Sequence, residues 1–235
     1  MYEERKYREW SNSNNLIISN VKEFESDLYI LSEINVEEIA LKEVRKIRKI
    51  IIKYGEENID FFKSLVPLRI KDSDPKIIKH MKESTKKANV GPMASVAGAI
   101  NFYLAKKLES ICKTLIIENG GDLYIKSNEE RIINIYAGKS LFKDKIKIIE
   151  KGEMGICTSS GIMGHSISFG KADAVVVKGK DTLVADAFAT SIGNIIKTKE
   201  DIEKGLEFAK QNNLEGVIII AFNKIGIWGN IKLVK

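Results

Sequence analysis

Residues 115–127 read LIIENGGDLYIKS, and the fold turns on the two glycines at the centre. An apolar run of strand length stands on each side. A gap this short permits a hairpin and is far too short for a crossover between parallel strands. The spacing therefore predicts antiparallel pairing. Asn119-Gly120 is the dipeptide expected of a type I′ turn. A second reading of the same residues stays open: Gly120 and Gly121 let a ligand approach the backbone, while Asp122 binds a hydroxyl or ring nitrogen.

Working outward, apolar runs at 14–19 and 26–32 read as strands, and residues 131–137 follow the hairpin as a further one. From Val36 to about residue 65 the spacing of Ile39, Val44, Ile47 and Ile51 is helical, and Val66-Pro67 closes that segment. Residues 74–88 predict a shorter helix with Asp74 as N-cap and Pro75 in the first turn. A third begins near Gly91-Pro92 and runs through Cys112. The second half repeats the plan. Strands are predicted at 146–152, 154–159, 165–170 and 172–179, helices at 181–197, with Asp181 as N-cap, and at 199–212, and strands at 215–222, 225–229 and 231–234. Each half reads strands, helices, strands, without the strict alternation of a parallel sheet. The expectation is an α+β protein of one domain over 1–235, built from two tandem ββααββ-like units with halves at about 14–138 and 139–235.

The chain of 235 residues is 44% hydrophobic and 30% charged, which suits a globular protein with a sizeable core. No apolar run reaches the roughly 18 residues of a membrane span. The charged start MYEERKYREW does not read as a secretory signal. Cys112 and Cys157 form neither a disulfide framework nor a zinc motif. The expected setting is cytoplasmic, with reduced thiols. Basic residues number 38 against 32 acidic ones, spread over helices as solvated faces. No patch interleaves aromatics with the charge, so nucleic acid is not an expected partner. A modest attraction for anionic ligands such as nucleotides is.

Three further stretches bear chemistry. In LVADAFATSIGN, residues 183–194, Asp186, Thr190 and Asn194 are four apart and stack along one side of a helix of otherwise small or apolar residues. A carboxylate buried there needs a partner, and carboxylate with hydroxyl oxygen is suitable chemistry for magnesium; the alternative is a stripe facing solvent. VGPMASVAGAI, residues 90–100, opens a helix with small residues. It serves either as an anion site at a helix N-terminus or as a close packing surface. CTSSGIMGHS, residues 157–166, holds a thiol, four hydroxyls and His165. Nothing in it matches G-x-S-x-G. Thr158, Ser159, Ser160 and Gly161 form a turn suited to an anion. His165 is open to three roles: acid/base, phosphate donor or structural histidine. Cys157 is a reactive thiol only if its pKa is lowered. His80, among lysines, reads as solvated.

Taken together, VGPMASVAGAI, ENGGDLYI, CTSSGIMGHSISFGKADAVVV and ADAFATSIGN resemble the signature blocks of the UPF0280 family within the ApbE-like superfamily. The likeness spans most of the chain and departs at Ile162-Met163, where the family more often shows Thr-Val. It implies the T-fold-like α+β architecture of the FAD:protein FMN transferases. It also implies magnesium held by Asp186 and Thr190 beside FAD or a related nucleotide. The flavin-side block maps onto Gly120, Gly121 and Asp122, with Asn119 adjoining; Ser159, Ser160, Gly161 and His165 match a Thr-Ser-Gly block with a downstream histidine. Gly91, Ser95 and Thr158 would line the anion path, and His165 or Asp122 would orient the attacked group. The transferases carry a Lys-Gly stretch ahead of Gly-Gly-Asp where this chain has GPMASVAGA. A homodimer is expected, since open sheet edges invite assembly. The family's link with sulfide assimilation implies an alternative role, a sulfur-handling or partner-binding protein with Cys157 as its working thiol.

Overall fold

The computed structural model describes residues 15–138, 140–142, 145–160 and 170–234. Eight strands form one sheet in chain order, every neighbouring pair antiparallel. They are β1 Ile17–Glu23, β2 Ser26–Ser32, β3 Leu115–Asn119, β4 Asp122–Ile135, β5 Ile146–Ser159, β6 Ala174–Gly179, β7 Gly216–Ala221 and β8 Lys224–Gly229. Between β2 and β3 lie α1 Glu37–Glu57, α2 Asp60–Lys63, α3 Lys76–Ala88, a 3₁₀ turn Pro92–Ser95 and α4 Val96–Leu108. Between β6 and β7 lie α5 Thr182–Ile195 and α6 Asp201–Gln211. This is the expected mixed architecture with antiparallel pairing. Because successive strands reverse, the β1–β2, β3–β4, β5–β6 and β7–β8 connections all fall at one end of the sheet. The diglycine turn and the serine-rich stretch therefore share that end.

The helices cover one face. Under α1, α3 and α4 the first core holds Leu28, Ile30, Ile117 and Tyr124, and under α5 and α6 the second holds Val175, Val177, Val217 and Ile219. The two interlock: Leu183 of α5 belongs to the first core, while Ala88 and Val90 belong to the second. On the opposite face, Ile125, Ile148, Ile156, Val176, Ile218 and Ile220 make a third cluster. Strand β7 explains its own unbroken run Val217–Ile220: alternate side chains enter two cores, so both faces are apolar. Truncating one such isoleucine to alanine costs about 2–5 kcal/mol.

Several expected boundaries shift. The strands expected at 146–152 and 154–159 are one, because Gly152, at φ 109°, bends β5 without ending its pairing. The strands expected either side of residue 128 are likewise one, joined through a bulge between Ser127 and Arg131 in which Ser127 Oγ accepts from Glu129 N and Arg131 Nε. The first helix stops at Glu57, with Asn58 N–H closing on Gly55 O, and Ile39 is exposed. The third ends at Leu108, short of Cys112. Asp74 is not an N-cap: Pro75 takes that position, and Asp74 is buried against Tyr54 and Lys82. Residues 231–234 are not a strand of the sheet but return to β5, where Ile149 N–H donates to Lys232 O (3.0 Å) and Val234 N–H to Lys147 O (2.9 Å). The strand expected at 165–170 lies almost wholly outside the described residues. No described helix is long and apolar enough to cross a membrane.

Candidate functional site

At the diglycine turn Asn119 pairs with Asp122, so the two-residue loop is Gly120-Gly121, at φ 68° and 99°. These left-handed values suit glycine and strain other residues. Glu118 Oε1 accepts the Gly121 N–H at 2.8 Å. A Cβ on Gly121 would lie 3.9 Å from Thr158 Cβ, which places the turn against the end of β5. Asp122 makes the joint. Its Oδ1 accepts the Thr158 N–H at 2.9 Å, and its carbonyl accepts from Asn101 Nδ2 of α4 at 2.9 Å. The side chain is buried, and burial raises its carboxyl to about 7; the Thr158 N–H and Cys157 thiol oppose that rise, while the Glu118 charge adds to it.

On the facing helix, Asp181 caps α5 as expected, its carboxylate accepting the Leu183 N–H. Thr182 Oγ1 donates to Gly98 O and Asp186 Oδ2 accepts the Gly98 N–H, both at 2.8 Å. Gly98 stands in the first turn of α4, where backbone donors lack helical partners, so Asp186 caps a neighbouring helix. A Cβ at Gly98 would come within 2.4 Å of Thr182 O and 3.0 Å of Asp186 Cβ. The small residues of VGPMASVAGAI therefore serve close helix packing here. Burial first, and then the Asp122 charge, raises the Asp186 carboxyl well above the ordinary range, against the pull of the Gly98 and Ala97 N–H groups.

Cys157 completes this layer between sheet and helices. It is fully buried and its thiol donates to Thr182 O at 3.4 Å. Burial pushes the thiol far up, and the Asp122, Asp186 and Asp181 charges push it further. A reactive thiolate needs electropositive surroundings; these are the reverse.

The structure thus brings together Gly120, Gly121, Asp122, Thr158 and, across from them, Asp186. Thr190 is buried one turn after Asp186, and Asn194 is half-buried and bonded, so the stripe does not face bulk solvent. Ser159 is buried with no partner for its hydroxyl among the described residues; Ser160 is half-buried and bonded. Gly91 is packed so tightly on Ser64 that a Cβ would meet the Ser64 carbonyl oxygen at 1.8 Å, and Ser95 Oγ is spent on Pro92 O. These two shape the turn before α4. Gly161 and His165 lie outside the described residues.

One residue read as solvated is not. His80 Nε2 stands 2.8 Å from Asp181 Oδ2, with its ring edge-on to Phe102 and Tyr103. The signal was present in the spacing: His80 is three residues after buried Ile77 and four before buried Ser84, on the flank of the apolar face. Among the described residues no three His, Cys, Asp or Glu side chains gather to hold a metal. Asp186 and Thr190 could hold a cation in another way: the half-buried Asp186 carboxylate has another carboxylate, Asp122, as its charged neighbour and is shown with no counter-charge among the described residues.

The sequence matches the family model described as AbpE bacteria over residues 8–214. It is 41% identical to a UPF0280 protein of Methanocaldococcus jannaschii over 213 residues, covering 85% of this chain and 83% of the relative. A UPF0280 protein of Archaeoglobus fulgidus is 39% identical over 198 residues, 82% of each chain. Among solved structures, the apo flavinyl transferase ApbE of Pseudomonas stutzeri superposes with a TM-score of 0.63 at 14% identity, covering 91% of this chain and 93% of that one. The flavin transferase ApbE of Vibrio cholerae gives 0.57 at 13% identity, covering 91% and 96%. The fold is that of the ApbE structures.

Proposed function

This chain belongs to the AbpE bacteria family, with UPF0280 proteins as its sequence relatives, and from that premise we propose that it binds a flavin nucleotide with magnesium and acts as a flavin or nucleotidyl transferase. The observation that carries the reading is the pair of carboxyls, buried Asp122 and half-buried Asp186, brought from strand and helix close enough to feel each other's charge beside the diglycine turn and the end of β5. The solved proteins of the same fold are named as flavin transferases, which gives the ligand class.

In this proposal Asp186 and Thr190 hold the magnesium, with Gly98 orienting the carboxylate through its N–H. When bound, that ion neutralises charge on a diphosphate. Gly120 and Gly121 admit the ligand against the backbone, with Asn119 beside them, while the Thr158–Gly161 stretch and the Gly91–Ser95 turn border its anionic part. Asp122, raised to about 7, holds or releases a proton near neutrality, which suits an acid/base group. With His165 it orients the attacked group. We read the order β1-β2, helices, β3-β4 and β5-β6, helices, β7-β8 as two T-fold-like tandem units of one domain, about 14–138 and 139–235. Within the same reading the protein is cytoplasmic and dimeric. The thiol alternative gains no support from a Cys157 sealed among carboxylates.

The test is calorimetric. With magnesium present, FAD at a hundred times its Kd adds about 2.7 kcal/mol of stability by linkage. That amounts to roughly 5–10 °C in melting temperature for a chain of this size. Asp186→Ala removes the magnesium-dependent part while leaving a cooperative transition. A folded wild-type protein whose melting is untouched by FAD at saturating magnesium overturns the proposal.

A further inference from the structure

Of the two histidines, His80 lies within the described residues, and it is held on three sides. Its Nε2 meets Asp181 Oδ2 at 2.8 Å, and its ring stands edge-on to Phe102 (5.1 Å, 83°) and Tyr103 (6.0 Å, 74°). Asp181 is in turn fixed from both ends, since its other oxygen accepts the Leu183 N–H at 2.9 Å. The next residue, Thr182, donates to Gly98 O, and four residues further Asp186 takes the Gly98 N–H. Because no side chain fits at Gly98, α4 and α5 touch there through backbone, and a small slip of α5 breaks both bonds together. A contact between α3 and α5 at any other point would add stability without setting this register. His80 acts one residue away from the Thr182–Gly98 bond.

We propose that His80 is a positioning residue for Asp186: by holding Asp181 it fixes the first turn of α5 in the register at which Asp186 meets the Gly98 N–H. The proposal rests on Asp186 being the site carboxylate of the preceding section. The groups shown against this histidine are Asp181, the N-cap of α5, and Phe102 and Tyr103 on α4. Burial, and then the Asp181 and Glu83 charges, raise the Tyr103 phenol to about 12, so its ring meets the imidazole as a neutral partner.

Amide hydrogen exchange tests this without any ligand. In His80→Ala the Gly98 amide is expected to exchange about tenfold faster than in the wild type, while the Ile117 amide in the core of β3 keeps its rate. His80→Gln, whose amide can still donate to Asp181, should restore Gly98 protection. Should the alanine variant fail to fold, Asp181→Asn, which retains the cap but weakens the tie to His80, is held to the same criterion. An unmoved Gly98 rate overturns the proposal, and so does an equal acceleration of Gly98 and Ile117, which signals general loosening. Failure of wild-type protein to bind FAD would strike the flavin reading and leave the Gly98 measurement standing.

Discussion

Two carboxylate clusters of this protein, one around Asp74 and one around Asp122 and Asp186, treat their acids in opposite ways. Asp74 accepts from Tyr54 Oη at 2.7 Å, Lys71 N at 2.9 Å and Lys82 Nζ at 2.7 Å, and Lys82 spends its remaining protons on Tyr54 Oη and Arg69 O. Burial alone would raise the Asp74 carboxyl, but the Lys82 hydrogen bond and its companions outweigh it and the pKa falls. Asp122 and Asp186 receive backbone N–H groups, feel each other or Glu118 as neighbouring charge, and rise. Desolvation alone does not separate the two clusters. Completeness of the partner set does: the first cluster is closed by an ammonium, whereas among the described residues the second is shown with no cationic partner.

The contrast can be broken at its strong end first. Lys82→Met leaves Asp74 and Tyr54 facing each other without the ammonium, which should cost about 3–5 kcal/mol. Urea unfolding at neutral pH measures that loss, and a cost near zero would mean that the cluster is not the closed network described. Next comes the pH profile. The Asp122 carboxyl is raised in the folded state to about 7, above an unfolded value of about 3.9. The stability it contributes is therefore full below about pH 4 and is lost as pH climbs toward 7. Asp122→Asn should remove that decline, recovering roughly 1–3 kcal/mol at pH 8 relative to pH 4.5. Asp74 runs the other way, its contribution present above the ordinary carboxyl value and lost as pH falls through its lowered one. Parallel pH profiles for Asp122→Asn and wild type would erase the distinction. The smallest effect is on the thiols: both cysteines are buried and both are pushed up by burial. Alkylation of native protein at neutral pH should proceed no faster than unfolding, with Cys157 labelled no sooner than Cys112. Rapid labelling of Cys157 would show that the second cluster is open in a way its carboxylates deny.

Local chemistry made some of this readable in advance. The Asn-Gly-Gly-Asp turn requires positive φ, so it announced a hairpin; Asp181 before an apolar run announced a helix start; and a four-residue period placed Asp186 and Thr190 on one side. What escaped were relations between distant residues. His80 and Asp181 are 101 positions apart, and a helical period cannot tell which partner waits on the flank. Asp74 had the composition of an N-cap, yet it lies just ahead of α3 and is bound by the ammonium of Lys82 from within that helix. Gly152 and Ser127 looked like ends of strands because glycine and serine usually punctuate. Here the sheet carries its pairing through a bend and a bulge.

The return of residues 232–234 to β5 has a practical side. Those residues are stitched to the row of backbone that holds Ile148 in the far-side core, so trimming after Gly229 would peel a seam from beneath that cluster and leave a sticky ribbon exposed. An affinity handle or fluorescent fusion is better spliced into the exposed tip at Phe24-Glu25, where the side chains to be displaced meet only Arg48.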